Sequence, residues 1–380
     1  MKIYSKKTVY EAAIERINLI FDEFPIIIVG FSGGKDSTVT LNLALQVAQE
    51  RGRLPLKVLF LDQEAEWQTV IDYVGTVMYD KRVDPIWLQI PIKLFNSTST
   101  IDSWLHCWGK GEEWMRPKDP ISLKENIYGT DRFAEMFTRY MEVTYPGQKA
   151  CYLAGVRTEE SPTRFVGLTS FSTYKHITWG KVLNKKMDQY TFYPLYDWSY
   201  TDIWKAIHDN HWPYCSIYDS MYQHGVKILN MRVSNVHHET AVRSLYYLQE
   251  IEGETWERLT RRISGINTAG QMKTDAFEIK ELPYMFTSWQ EYRDYLLQNL
   301  ITDVEVIKTF EHKFELMQKK YGEMGNLDTL YRVQIGAILT NDYHMTKIVN
   351  WEKRPEVDTW RKAQRGIFTK HTENNKYLKK

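Results

Sequence analysis

A chain of 380 residues with 43% hydrophobic and 26% charged residues is long enough for two packed units and apolar enough to give each a core. A formal net charge of +1 excludes a global field of either sign that would mark the whole chain as a nucleic-acid or membrane binder. No apolar run reaches the roughly 18 residues that span a bilayer, and the charged, amphipathic amino terminus lacks the apolar stretch of a secretory signal, so the expected address is the cytoplasm.

Residues 8–24 carry Val9, Ala12, Ala13, Ile17, Ile20, Phe21 and Phe24 on or near one face, which predicts a helix. Ile26-Ile27-Ile28-Val29-Gly30-Phe31 reads as a buried strand that runs straight into Ser32-Gly33-Gly34-Lys35-Asp36-Ser37, and an amphipathic helix is expected over 38–50. Two adjacent glycines let the backbone pass close to a ligand and adopt a positive φ without steric cost. The amides of such a turn and of the helix start point at one spot, which makes an anion site. Ser32 and Ser37 add hydroxyl donors, and Lys35 adds a mobile positive charge. The Walker A pattern does not fit, because Gly34 follows Gly30 too closely and Asp36 stands where a magnesium-binding Ser or Thr belongs.

A second strand over 56–61 ends at Asp62, a helix is expected over 66–80, and a third strand over 85–90. This alternation predicts an α/β fold with a doubly wound, mostly parallel sheet. The stretch 92–147, rich in Trp, Gly, Pro and Lys, reads as an insertion carrying short helices. A further strand follows over 150–155 and a helix over 201–210. From about residue 234 helical signals dominate: Ser288-Trp289-Gln290-Glu291 is a capping-box pattern, and helices are expected at about 303–320 and 326–340. The predicted division is an α/β unit over 1–230 and a mainly α-helical region over 231–380 with a basic tail. Residues 359–380 hold seven Lys or Arg against one Glu, either a solvated end or a contact for a nucleic-acid backbone. The 14% aromatic content is either packed core or base-stacking surface.

Ligands of an open parallel sheet sit at the carboxyl ends of its strands. Three such ends carry suggestive residues: the Ser32–Ser37 turn, Asp62-Gln63-Glu64-Ala65-Glu66, and Gly155 through Arg164. Arg157 and Arg164 offer guanidinium forks that match phosphate or sulfate oxygens, with Glu160 as a partner for one of them; the alternative is a surface ion pair. Cys107, Cys151 and Cys215 lie far apart and form no C-x-x-C, and a cluster needs about four thiolates, so no iron–sulfur cluster is expected. Arg232, His237 and His238 lie near the domain junction and either line the cleft or, the preferred reading, are core or surface residues, and His106, His208 and His211 read as structural.

On the Ser32-Gly33-Gly34-Lys35-Asp36-Ser37 turn, the strand ending in Asp62, and Gly155-x-Arg157-x-x-Glu160-Ser161 with Arg164 behind it, the chain resembles the PP-loop superfamily of adenine nucleotide alpha hydrolases. The segment from Tyr193 to Trp204 resembles the phosphoadenylyl-sulfate (PAPS) reductase branch, and the likeness covers roughly residues 20–220. Leu61 to Trp67 and the helical carboxy-terminal part resemble PAPS-reductase-like proteins with a DUF3440 region, of the immunoglobulin-binding regulator A type, which implies a ParB-like protein partner. The resemblance implies an adenine nucleotide, ATP or a PAPS-like one, with Mg²⁺. Its binding residues would be Ser32, Gly33, Gly34, Lys35, Asp36, Ser37, Asp62, Gly155, Arg157, Glu160, Ser161 and Arg164, with Lys35, Asp36 and Arg157 as the catalytic set. Asp36 is either a loop-orienting or Mg²⁺-placing residue or a plain first-turn helix acid. Asp62 is either a contact to ribose or metal or a strand-end cap.

The chain departs from the reductases in one respect: it has no cysteine after Cys215, so the carboxy-terminal thiol segment is missing and thiol-dependent reduction of PAPS is not expected. Two classes stay open. One is an ATP pyrophosphatase or nucleotidyl transferase that adenylates an unknown acceptor. The other is a non-catalytic, nucleotide-sensing regulator that acts with a ParB-like partner or DNA.

Overall fold

The computed structural model describes residues 6–160, 162–169, 173–228, 231–233, 236–237, 245–271, 281–324 and 327–364. The chain divides into two units that interleave along the sequence. Unit 1 comprises Met1–Leu94, His106–Val236 and Tyr247–Arg262; unit 2 comprises Phe95–Leu105, His237–Tyr246 and Ile263–Lys380.

Unit 1 begins with α1 (Val9–Glu23), whose start is local chemistry: the Thr8 side chain accepts from the Glu11 N–H while the Glu11 carboxylate accepts from the Thr8 N–H. The parallel core follows as β1 (Ile26–Gly30), α2 (Lys35–Glu50), β2 (Leu56–Leu61), α3 (Gln68–Met78) and β3 (Val83–Leu88). In the region read as an insertion with short helices, the structure instead has β4 (Ile92–Phe95) paired with β5 (Trp104–Cys107), and then α4 (Phe133–Thr144). β6 (Ala150–Leu153), α5 (Pro162–Thr169), β7 (Thr173–Tyr174), β8 (Ile177–Asn184), β9 (Gln189–Phe192) and α6 (Tyr200–Asp209) come next. α7 (Ile217–Gln223), α8 (Leu245–Ile251) and α9 (Gly253–Arg262) complete the series.

The main sheet has seven strands in the order β3-β2-β1-β6-β9-β8-β7. β3, β2, β1, β6 and β9 are parallel neighbours, while β8 and β7 run antiparallel at one edge. Ile27, Ile28 and Val29 of β1 are buried because helices cover both faces, which is why this strand reads as an unbroken apolar run. The chain winds from β1 out to β3 and then returns across β1 to β6. Strand order therefore reverses between β1 and β6, and the crevice of such a sheet opens at that reversal. The fold is the doubly wound, mostly parallel α/β arrangement the sequence predicted. The antiparallel edge was not foreseen.

Unit 2 is mainly helical: α10 (Ile266–Gln271), α11 (Trp289–Asn299), α12 (Val304–Tyr321), α13 (Leu327–Leu339), α14 (Thr346–Trp351) and α15 (Pro355–Gln364). Phe310, Phe314, Tyr321, Leu330, Ile338 and Trp351 anchor its core. Asn341 ties the 95–105 segment into this unit by donating to the Asn96 and Ser99 carbonyls at 3.1 and 2.5 Å. At the start of α11, Ser288 accepts from the Glu291 N–H, but the Glu291 carboxylate reaches one residue further back, to the Thr287 N–H and hydroxyl. No helix among the described residues is long and apolar enough to cross a membrane. The basic tail beyond Gln364 lies outside the described residues.

Candidate functional site

The turn after β1 is built from its own side chains. Ser37 Oγ donates to the Gly34 carbonyl at 2.8 Å, so it can only accept from the Ser32 N–H at 3.2 Å and from Ser32 Oγ at 3.1 Å. Gly33 has φ +69°, and a Cβ there would fall 2.8 Å from Val70, so both the turn and the packing of α3 require glycine. α2 starts at Lys35 rather than at 38, which puts Lys35, Asp36 and Ser37 in its first turn, with Gly34 as a cap that has no side chain to offer. The Lys35 N–H is taken by Tyr218 Oη at 3.1 Å. The amides of Gly33, Gly34 and Asp36 find no acceptor among the described residues. They are the donors an anion would meet.

The turn after β6 closes on this one. A Cβ on Gly155 would lie 2.7 Å from the Asp36 carbonyl oxygen, so only glycine lets the two backbones approach. The buried Arg157 then reaches across: its Nε donates to the Asp36 carboxylate, whose other oxygen lies 3.1 Å from Lys35 Nζ. Arg157 Nη1 also donates to Glu159 at 2.9 Å, and Glu159 accepts from the Tyr200 N–H, the first residue of α6, at 2.7 Å. Glu160 accepts from the Arg157 N–H at 2.9 Å and pairs with Arg164 at 2.9 Å, on a side chain that is 45% exposed. The structure thus brings Ser32, Gly33, Gly34, Lys35, Asp36, Ser37, Gly155, Arg157 and Glu160 together, with Arg164 paired at the rim. Ser161 lies outside the described residues.

Asp62 is in a different situation. It has no exposed surface, and both its oxygens are engaged: one by the Glu64 N–H at 2.9 Å and Arg116 at 2.5 Å, the other by Trp87 Nε1 at 3.0 Å and Gln89 Nε2 at 2.9 Å. Glu64, equally buried, accepts from Arg262 Nε at 2.7 Å and from the Trp108 N–H at 2.7 Å. Glu66 completes the group without a salt bridge among the described residues; burial, and then the neighbouring Asp62 charge, push its carboxyl up to about 8. The Glu252 carboxylate accepts from the Gln68 and Thr69 N–H groups at 2.8 and 3.1 Å and so fills the start of α3. Sequence reasoning missed Tyr218, Arg116, Glu252 and Arg262. Each meets its partner across a long stretch of chain, and no local pattern announces any of them.

All three cysteines are buried. Burial raises the Cys107 and Cys151 thiols well above the ordinary range and pushes Cys215 up to about 12, so each is held as the unreactive thiol. Among the described residues no group of three His, Cys, Asp or Glu is placed to hold a metal ion. A Mg²⁺ carried on phosphate oxygens asks for only one or two carboxylates; Asp36, 18% exposed in the first turn of α2, would meet that demand only by giving up its bonds to Arg157 and Lys35.

Residues 26–224, more than half of the chain, match the phosphoadenosine phosphosulfate reductase domain. Residues 225–347 match a domain of unknown function, DUF3440. The uncharacterized protein YbdN of Escherichia coli (strain K12) is 29% identical over 406 residues, covering 97% of this chain and 98% of that protein. Among solved structures, yeast FAD synthetase in complex with FAD is similar over 70% of this chain and 89% of that one, at 15% identity and a TM-score of 0.39. PAPS reductase from Candida auris, in its phosphate complex, is similar over 62% and 98%, at 13% identity and a TM-score of 0.33. FMN adenylyltransferase of Candida glabrata, in complex with FMN and an ATP analogue, is similar over 57% of this chain at 17% identity and a TM-score of 0.35; the chain spans 64% of its length, less than two thirds. By the domain match over residues 26–224, the chain belongs to the phosphoadenosine phosphosulfate reductase domain family.

Proposed function

We propose that the loop at the β1–β6 reversal binds the phosphates of an adenine nucleotide and that the protein cleaves ATP at the α-phosphate, transferring AMP to an acceptor. The observation that supports this reading is a turn into a helix start whose Gly33, Gly34 and Asp36 amides find no acceptor among the described residues, with Ser32, Ser37, Lys35 and Arg157 beside them. In the step envisaged, an acceptor oxygen attacks the α-phosphorus and a new P–O bond forms. The bond to the β-phosphate oxygen breaks, pyrophosphate leaves with the electron pair, and the acceptor's proton passes to solvent. The amides of Gly33 and Gly34, the Ser32 and Ser37 hydroxyls, and Lys35 and Arg157 would offset the charge that builds on the leaving pyrophosphate. Mg²⁺, held through Asp36, would supply further neutralisation of the phosphate oxygens. Gly155 lets the two turns meet, and Glu160 and Arg164 form the rim. Asp62 acts one layer back, by fixing the turn after β2. Reduction of PAPS by a protein thiol is not part of this reading, because every thiol of the chain is buried and protonated.

The test is incubation of the full chain with Mg²⁺ and ATP labelled at the α-phosphate, alone and with candidate acceptors. Labelled AMP, free or on the acceptor, together with released pyrophosphate is the expected result. If ATP raises the melting temperature but no AMP or pyrophosphate forms with any acceptor, the other reading stands: a nucleotide-sensing regulator that works through a protein such as a ParB-like partner, or through DNA.

A further inference from the structure

The Gly33, Gly34 and Asp36 amides have no acceptor among the described residues, but the cations beside them are engaged. Lys35 and Arg157 are both buried, and both point their charge at the same Asp36 carboxylate. With Glu159 on the other side of Arg157, the group holds two cations and two carboxylates and is balanced before any ligand arrives. An incoming phosphate therefore meets a site in which the guanidinium and ammonium already hold an anion, and that anion is part of the protein.

The two cations are also anchored independently of Asp36. Arg157 keeps Glu159, which is itself fixed by the Tyr200 N–H at the start of α6. Lys35 Nζ lies 5.5 Å from the centre of the Tyr218 ring, over its face, and its backbone N–H is bonded to that tyrosine's hydroxyl. If the Asp36 carboxylate turned away, both charges would stay in place and become available together. Asp36 is the least buried of the three side chains, 18% exposed against 10% for Lys35 and 5% for Arg157, so it is the member with room to leave.

We propose that Asp36 is a specificity-determining residue, a built-in competitor that occupies the Lys35–Arg157 pair and admits only a ligand able to replace it on both cations at once. A polyphosphate can do this, because its linked phosphates reach two cations while also taking the loop amides. A single phosphate or sulfate offers less and is turned away. This inference rests on the reading of the loop as a phosphate site.

Calorimetric titration of the full chain with inorganic pyrophosphate and with inorganic phosphate, in the presence of a chelator, tests it. The wild type is expected to bind pyrophosphate and to discriminate strongly against phosphate. Asp36→Asn is expected to bind both more tightly, by about tenfold or more, the change that ~1.4 kcal/mol makes in an equilibrium constant, with phosphate gaining the most. Adding Arg157→Gln to Asp36→Asn should abolish that gain, which separates release of this guanidinium from a general rise in positive charge. Asp36→Ser, a small polar residue suited to a helix's first turn, gives the same comparison if the asparagine variant fails to fold. Unchanged or weaker pyrophosphate binding in the Asp36 variants, beside measurable binding in the wild type, overturns the competitor role and leaves the phosphate site standing. Absence of binding in every protein, with ATP also failing to shift the melting temperature, overturns both.

Discussion

Two strand ends of unit 1 use the same chemical vocabulary to opposite effect. Behind β1, an aspartate, a lysine and an arginine share charge at a partly exposed turn whose Gly33, Gly34 and Asp36 amides find no acceptor among the described residues. Behind β2, Asp62 with Arg116 and Glu64 with Arg262 form ion pairs whose carboxylates have no exposed surface and no spare oxygen. A buried ion pair whose carboxylate oxygens are all engaged is costly to break and offers a ligand no acceptor, although Arg116 Nε is left without a partner among the described residues. A half-open one beside free donors can exchange partners. Acid–arginine pairing is thus common to both strand ends, and what distinguishes the one where a phosphate site is proposed is backbone left without acceptors among the described residues.

The sharpest way to break this contrast is to remove Arg116. Arg116→Met leaves the Asp62 carboxylate buried beside Glu66 without its cation, and a loss of about 3–5 kcal/mol is expected, read by denaturant unfolding. The folded fraction should keep its nucleotide-induced thermal shift; loss of that shift alone, at unchanged stability, would make the β2 end part of the ligand site. Glu66 gives the next effect. Its carboxyl titrates at about 8 in the fold against 4.5 as the reference. The protonated form thus contributes stability that is complete below the reference value. That contribution is lost, at about 1.4 kcal/mol per pH unit, as the pH rises towards 8. Unfolding curves from pH about 5 to about 9 should show this decline in the wild type and a flatter profile in Glu66→Gln.

Gly155→Ala forces a methyl against the Asp36 carbonyl, so a cost of about 1–3 kcal/mol is expected together with loss of nucleotide-dependent stabilisation. Retained nucleotide binding in that variant would separate the β6 turn from the site. The smallest expected effect on stability belongs to Ser37→Ala, about 1 kcal/mol for the hydrogen bonds to Gly34 and Ser32. Its effect on nucleotide affinity should be the larger of the two, and the ratio of the two effects measures how far the loop is built for a ligand rather than for itself.

The loop was legible in the sequence because everything it needs is contiguous: an apolar strand, two glycines, two serines and a helix start within a dozen residues. The start of α1 was legible for the same reason. The role of Arg157 was only half legible, since its motif was visible but its partner Asp36 is 121 residues away. Asp62 read as either a ligand contact or a strand-end cap, because the sequence shows a strand end and does not show burial. The β8–β9 hairpin escaped because Ile177-Thr178-Trp179-Gly180-Lys181-Val182-Leu183-Asn184 alternates weakly, and its tight turn rests on a left-handed Asp188 rather than on a glycine.

The interleaving of the two units has a consequence for how this protein is made. Glu64 is synthesised early, yet Arg262, the cation that compensates it inside unit 1, emerges 198 residues later. Glu252, which fills the start of α3, comes almost as late, 184 residues after Gln68. Until the chain has been made past residue 262, the turn after β2 and the start of α3 therefore lack two of the partners they have in the finished fold, and such long separations are what slow the closing of a fold.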